Sequence, residues 1–430
     1  MSAKPIQILD TTLREGEQTP GVSFTTDQKV KIVEMLCDFG VDFIELGHPV
    51  VSPDIYRTIQ KVNKLNIEPQ TVVHSRLKKS DIDDAISLKA SWVGLFFDVS
   101  KDRLLTKYGF NEEKSLVLIN ESILYAKKNG LKIRFTAEDA SRTDLDYLLK
   151  IGELVENAGA DRFGFADTVG ILHPQKVSEV ITNLVNHLNI PIHAHFHNDF
   201  GLATANALQA VQSGASCVDV TVNGLGERCG ITSLAEITAS ADELLNIKNS
   251  WNFKIISNLS SYVDEITNNI VQNIRPITGY NSFTHNAGLH AASVIKDPTT
   301  YESMSPEKYG QIRSILIDKF SGKEAVDYQI KKLGFNLPKD FLIQILQVIK
   351  SKPEITNWTD EALLSVIKSI QKESEKNQFQ KKLNEVKNPE TELNEKLSSL
   401  TLDLSSLRQE NEALTNLHGI SSCVQIQRTK

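Results

Sequence analysis

Eight short β-branched or aromatic runs, separated by amphipathic helical stretches over roughly 250 residues, predict an α/β chain closed into a (β/α)8 barrel. Charged and polar residues gather directly after nearly every run, as the rim of a closed barrel requires; this ranks an open doubly wound sheet second. In residues 190–231 (IPIHAHFHNDFGLATANALQAVQSGASCVDVTVNGLGERCGI), three histidines at alternate positions, His193, His195 and His197, share one face of a strand. Ligand-type side chains crowded at a strand's C-terminal end point to a metal site, against the blander alternative of a histidine-rich edge strand.

In chain order, strands are expected at 6–9, 43–46, 70–74, 92–97, 132–136, 162–165, 190–195 and 217–222. Helices are expected between them, at 26–39, 53–65, 111–128, 144–157, 174–187 and 202–211. The first strand runs into Asp10, Thr11, Thr12, Leu13, Arg14, Glu15, Gly16, Glu17 and Gln18. The second carries Glu45 and then Gly47-His48-Pro49; the fifth carries Arg134, Thr136, Glu138 and Asp139, with Arg142 behind. Asp167 and Thr168 follow the sixth, the histidines the seventh, and Asn223 to Arg228 the eighth.

Beyond Trp251 the rhythm stops. A helical stretch at 255–274 leads to a loop, FTHNAGLH, holding His285 and His290, and helices are expected at 318–334 and 338–350. A polar segment, 372–389, reads as a linker with fraying helix. Leu393, Leu397, Leu400, Leu404, Leu407, Asn411 and Leu414 then alternate at spacings of four and three, a heptad seam with one polar position. It reads either as a self-associating coiled coil or as an amphipathic helix folded onto the body. The expected organisation is thus a catalytic barrel at 1–250, a linker and small helical subdomain with the histidine loop at 251–370, and a polar linker with a heptad-bearing tail at 371–430.

The chain has 430 residues, 40% hydrophobic, and a net charge of -7 with the signs interspersed, which gives no nucleic-acid footprint. Its four cysteines contain no CxxC pair, which fits a reducing compartment. No apolar run reaches bilayer length and the N-terminus has no apolar signal core, so a soluble cytoplasmic protein is expected.

Glu15, His195 and His197 form a two-histidine, one-carboxylate set that leaves coordination positions open for substrate. A 2-oxo acid suits such a site, because its carboxylate and keto oxygens can both reach a metal that polarises the ketone. Arg14 beside it could stabilise developing oxyanion charge, or else form a salt bridge to a barrel carboxylate. Gln18, Asp10 and Asp139 read as orienting groups, Gln18 also within reach of substrate. The stretch Gly224-Leu225-Gly226-Glu227-Arg228-Cys229-Gly230 lacks phosphate-cradling spacing and reads as a tight turn holding Glu227 and Arg228 at the rim.

Three motifs, TTLREGEQ at 11–18, HFHNDFGLATAN at 195–206 and GLGERCG at 224–230, resemble the acyl-CoA Claisen-condensing branch of the DRE-TIM metallolyases. That family includes the 2-isopropylmalate, citramalate and homocitrate synthases, and the similarity runs from about residue 6 to residue 335, taking in DPTTYE at 297–302. The resemblance implies a divalent-metal enzyme (Zn, Mg or Mn) that condenses acetyl-CoA with a 2-oxo acid and hydrolyses the thioester. It implies that Glu15, His195 and His197 hold the metal, that Arg14 and Thr168 bind the ketone and carboxylate, and that Gln18 lies at the substrate. His290 would assist deprotonation of the acetyl methyl with Glu138 as its barrel-side partner, Tyr301 being a further candidate and His285 structural. A homodimer is implied, with higher assembly through the tail as an option.

Arg134, expected at the C-terminal end of the fifth strand with the hydroxyl of Thr136 two residues on, resembles the homocitrate synthases that open the 2-aminoadipate route to lysine. An arginine there can grip the second carboxylate of 2-oxoglutarate bidentately. Ile231-Thr232 points the same way, since the isopropylmalate branch has a metal-assisting asparagine at Ile231. Gly47-His48-Pro49 and KSDIDDA at 79–85 match the isopropylmalate pattern better, and His74-Ser75-Arg76 does not register with the substrate-contacting histidine of the homocitrate synthases. The alternatives are therefore an isopropylmalate or citramalate synthase using 3-methyl-2-oxobutanoate or pyruvate, and a non-catalytic metal- or metabolite-binding scaffold.

Overall fold

The computed structural model describes residues 5–268 and 273–423, leaving aside the side chains of 385–392 and 414–423 within the last helix. Eight parallel strands form a closed barrel in sequence order: β1 (Gln7–Asp10), β2 (Phe43–Glu45), β3 (Gln70–Arg76), β4 (Trp92–Asp98), β5 (Lys132–Glu138), β6 (Arg162–Asp167), β7 (Ile192–Phe196) and β8 (Cys217–Val220). Closure is made by β8 against β1, with Gln7 opposite Cys217 and Asp10 opposite Val220. The outer ring is α1 (Thr26–Phe39), α2 (Pro53–Val62), α3 (Lys79–Ser87), α4 (Glu112–Lys128), α5 (Leu145–Asn157), α6 (Pro174–His187), α7 (Ala203–Gln212) and α8 (Leu234–Glu243).

The helix starts follow from local chemistry. Thr25 and Gln28 make a capping box ahead of α1, Ser52 caps α2 before Pro53, and Asn111 and Asp144 cap α4 and α5 from outside the helices rather than within them. Each expected strand is present, but β5 continues to Glu138 because closure pairs its backbone with β4 whatever the side chains are: Thr136 lies opposite Phe96 and Glu138 opposite Asp98. Helix α3 had no separate apolar signal; only Ile82 and Ala85 among its hydrophobic residues are buried. The main core fills the space between strands and helices, around Ile8, Val33, Leu36, Ile119, Phe135, Phe163 and Ile181. A second cluster of Leu9, Phe43, Val72, Trp92 and Cys217 fills the barrel's interior below the polar residues.

The first compact unit extends past residue 250, to His285, and takes in Pro298–Ser314. The reason is burial: Trp251, Phe253 and, on α9 (Ile256–Ile266), Leu259 and Val263 belong to the barrel's own core. The second unit, Asn286–Asp297 with Ile315–Lys430, contains α10 (Gly288–Lys296), α11 (Lys323–Lys332), α12 (Lys339–Ser351) and α13 (Asp360–Cys423). Its core joins Val294, Val326, Ile345, Ile349, Leu363 and Ile367. The segment read as a linker, 372–389, is instead part of α13; it contains no glycine and is rich in the helix formers Lys and Glu, and the helix runs on through Pro389. The seam leucines lie on that same helix, except that the side chain of Leu414 is outside the described residues. No described helix is long and apolar enough to cross a membrane.

Candidate active site

A cavity of about 890 Å³ opens within the first unit and is lined by Arg14, Glu15, Gln18, Arg134, Thr136, Glu138, Thr168, His195 and His197 together. These residues come from the turn after β1 and from β5, β6 and β7, so the barrel end gathers what the sequence scatters. His290 is carried by the second unit, exposed on the first turn of α10, and Tyr301 is half exposed in the first.

At one side of the cavity, ligand atoms of Glu15, His195 and His197 all lie within 4.8 Å of one another. His195 Nε2 and His197 Nε2 face each other at 3.4 Å. That is the chord between two nitrogens bound at about 2.1 Å to one ion. His195 Nδ1 sits 3.3 Å from Asp219 Oδ2, which fixes the ring with Nε2 aimed inward. His197 Nδ1 is buried without a partner. Burial, with His195 alongside, pushes His197 down to about 4, so it is neutral and available as a ligand. Burial opposes ionisation of Glu15, but Arg14, His195 and His197 outweigh it and hold the carboxyl down at about 2. In this inner cluster three ionised carboxylates, Glu15, Glu45 and Asp219, meet two guanidiniums, Arg14 and Arg134, leaving it one positive charge short. Donor type, spacing and charge all fit a divalent cation.

The glycine-rich turn serves this cluster. The Glu227 amide donates to Glu15 Oε1 at 3.1 Å, and a Cβ on Gly226 would lie 3.2 Å from that same oxygen. Gly230 has φ +82 and a Cβ there would meet Gly224 O at 1.8 Å, so the turn closes only with glycine. Ile231 is buried and its backbone bridges to that of His197, just beyond β7, placing this apolar residue against the candidate cluster. Asp10 accepts from the backbone and hydroxyl of Thr12, setting the turn that presents Arg14 and Glu15; burial pushes its carboxyl up to about 7.

Arg134 lies deeper than its sequence reading placed it, at the third position of β5 and not at the strand's C-terminal end. Its Nη1 donates to both oxygens of Asp219 at 3.1 and 3.0 Å, and its Nη2 to Glu45 Oε1 at 3.0 Å. A bidentate grip on substrate through both terminal nitrogens is therefore not available; Nε, buried and without a partner, is the donor left. Thr136 Oγ1 and Glu138 Oε2 are likewise buried and unpartnered, so three alternate residues of one strand that line the cavity each keep a buried polar atom without a partner. Burial, then Asp98, raises the Glu138 carboxyl. Thr168 Oγ1 accepts from the Asp139 amide at 2.8 Å, which leaves its own O–H to donate. Asp139 is itself clamped by Arg142 and Ser100. Arg14 is held by Glu45 at 2.7 Å and pairs with Glu15, so the salt-bridge alternative and its place at the site are both realised.

Two residues the sequence left unassigned stand out. Glu45 is fully buried and accepts from Thr11 and Arg14, pairs with His74 and takes Arg134 Nη2. His74 lines the cavity, stacks on Phe96 at 4.2 Å and is pushed down to about 4 by burial. Strand parity was the available signal, since His74 shares its face of β3 with inward-packed Val72. A second ligand-type group, His193, Cys217 and Asp219, lies one layer deeper. Arg162 donates to His193 Nε2 and Arg134 occupies Asp219, so this set is already satisfied.

Family models match most of the chain: HMGL-like over residues 5–263 and homocitrate synthase post-HMGL domain-like over 277–357. The homocitrate synthase of Sulfurisphaera tokodaii is 45% identical over 375 residues, 85% of this chain and 80% of that one; that of Sulfolobus acidocaldarius is 42% identical over 370 residues, 85% and 79%. This chain belongs to the homocitrate synthase family. It is accordingly an enzyme of the acetyl-CoA-dependent condensing kind, in a divalent-metal-dependent superfamily. Among solved structures, the HMG-CoA lyases of Bacillus subtilis (TM-score 0.57, 19% identity, 64% of this chain and 98% of that one) and Pseudomonas aeruginosa (0.55, 15%, 62% and 94%) share the barrel fold.

The link from Asp219 to His195 gives a direct test. Asp219→Asn should weaken divalent-metal binding about 10–100-fold, read by calorimetric titration of metal-free protein. An unchanged affinity would remove Asp219 from the metal's support.

Proposed function

We propose that this chain condenses acetyl-CoA with 2-oxoglutarate and releases homocitrate and free CoA. The observation that supports this choice of oxo acid, beside the homocitrate synthase relatives, is that Arg134 and Thr136 line the cavity and each keeps a polar atom, Nε and Oγ1, without a partner among the described residues. A distal carboxylate satisfies both. A branched apolar group satisfies neither, and sites built to hydrogen-bond a substrate reject analogues lacking the partner by about 10⁴ or more.

Glu15, His195 and His197 are the residues that would hold the divalent cation. When bound, such an ion supplies Lewis-acid polarisation of the ketone and a template for the oxo acid. Arg14, facing the same space, balances negative charge as it develops on the keto oxygen. Thr168 donates its hydroxyl to the 1-carboxylate, held at the right rotation by the Asp139 amide. Glu138, its carboxyl raised by burial, is the barrel group suited to hold or pass a proton near the acetyl methyl. The family resemblance assigns removal of that proton to His290, delivered in a homodimer from the partner protomer. Cytoplasmic operation belongs to the same proposal.

The test is CoA-thiol release with a panel of oxo acids. 2-Oxoglutarate is expected to exceed 3-methyl-2-oxobutanoate and pyruvate by at least about 10²-fold in kcat/KM. Equal rates, or preference for an apolar acid, would overturn the substrate assignment. Chelation should abolish turnover and added divalent ion restore it; chelator-resistant activity would overturn the metal's role.

A further inference from the structure

Helix α13 does two different things along its length. Leu363, Val366, Ile367 and Ile370 pack into the core of the second unit. From Glu375 onward every described residue is exposed. On this outer half Leu393, Leu397, Leu400, Leu404 and Leu407 stand 59–65% exposed at alternating spacings of four and three. Both family models end at or before residue 357, so this stretch is outside what the catalytic family accounts for.

The spacing fixes the heptad phase. A step of three runs from a to d and a step of four from d to a, so Leu397, Leu404 and Asn411 are a positions and Leu393, Leu400 and Leu407 are d positions. The g positions are then Lys396, Asp403 and Glu410, and the e positions Thr401 and Arg408. We propose that this face pairs with the same face of a second copy of the chain as a parallel, in-register, two-stranded coiled coil, so that the tail is a self-assembly element appended to the enzyme.

Three features decide orientation and number. A single asparagine at an a position of a leucine seam specifies register and oligomer state, since in a parallel in-register pair each Asn411 meets its equivalent and not a leucine. In that register, each g residue faces the e residue five positions on in the other strand. Asp403 therefore meets Arg408 twice across the seam, and Lys396 and Glu410 meet the neutral Thr401 and Thr415. An antiparallel pairing centred on Asp403 would oppose Asp403 to Asp403 and bury Asn411 against leucine, which costs both charge repulsion and an unmatched amide. A fold-back onto the body would have covered the leucines, which stand exposed. The inference is independent of the oxo acid chosen above.

The test places a cysteine at a central d position, Leu400→Cys, in the full chain carrying Cys229→Ser and Cys423→Ser. Oxidation should give a disulfide-linked dimer on a non-reducing gel, absent from the same background without Leu400→Cys. Asp403→Arg should lower the linked fraction several-fold, and adding Arg408→Asp should restore it. A Leu400→Cys protein that stays unlinked overturns the parallel pairing. Linkage indifferent to the charge swaps overturns the register. Cys229, Leu400, Asp403 and Arg408 are exposed in the single chain, so substitutions there leave its fold intact, and circular dichroism of each variant verifies this.

Discussion

His197→Ala is expected to eliminate metal-dependent turnover, lowering kcat/KM by on the order of 10³ or more. The argument begins with donor number. Glu15, His195 and His197 are the protein atoms gathered within 4.8 Å, and a two-histidine, one-carboxylate site has no spare ligand. Ile231, whose backbone bridges to His197, is apolar and cannot replace it, and the nearby Asp199 carboxylate is already engaged by Arg228. Losing the ion forfeits several kcal/mol of transition-state charge stabilisation, and each 1.36 kcal/mol is tenfold in rate. Arg14 cannot compensate, since it is bound to Glu15 and Glu45 and carries only one charge. The measurement pairs metal content with kcat/KM. Divalent ion should raise the melting temperature of the parent chain, by linkage, and leave that of the variant unmoved. His197 is buried against the His195 ring, so the metal-free variant should melt below the metal-free parent, and the metal effect is read as the shift within each protein. Full metal content in His197→Ala would move the site elsewhere.

Much of this centre was legible because it follows from local rules. Alternation puts His195 on the inner face of β7, and His197 follows directly beyond the strand, so both reach the cavity from one short segment. Eight apolar runs with caps at Thr25, Ser52, Asn111 and Asp144 gave the barrel. What stayed hidden depends on pairing across the barrel. Arg134 meets Glu45 from β2 and Asp219 from β8, 89 and 85 residues away, and no spacing announces such contacts. The Glu227 amide reaches Glu15 over 212 residues for the same reason. An arginine read as a rim contact therefore proved to be the clamp of a buried cluster, with only its Nε left over. The tail erred differently: 372–389 was read from polarity and its closing Pro389, yet a segment without glycine and rich in Lys and Glu continues a helix begun in the core.

That clamp makes Arg134→Ala the second large effect. Burial alone would raise Glu45 and Asp219, but the guanidiniums of Arg14 and Arg134 and the neighbouring imidazoles reverse this and hold both well below the usual carboxylate range. Removing Arg134 leaves two fully buried carboxylates with too little positive charge, a class of change that costs about 3–5 kcal/mol. At roughly 2–4 °C per kcal/mol for a barrel of this size, the melting temperature should fall by about 10 °C. The sign with pH follows from linkage. In the parent, carboxylates with depressed pKa contribute stability above their unfolded pKa, lost only as pH falls through the lower folded value. In the variant their folded pKa rises above the unfolded one, so the penalty is full at pH 7 and shrinks as acid neutralises them. Thermal melts of both proteins between pH 7 and pH 5 should therefore converge toward the acid end. Arg134→Lys separates clamp from substrate contact: the ammonium keeps charge beside Glu45 and Asp219 but has no Nε to offer. It should retain more stability than Arg134→Ala while losing the preference for 2-oxoglutarate over 3-methyl-2-oxobutanoate. If Arg134→Ala melts with the parent at every pH, the buried cluster is not held by this arginine; if Arg134→Lys keeps full selectivity, the free nitrogen on β5 does not read the distal carboxylate.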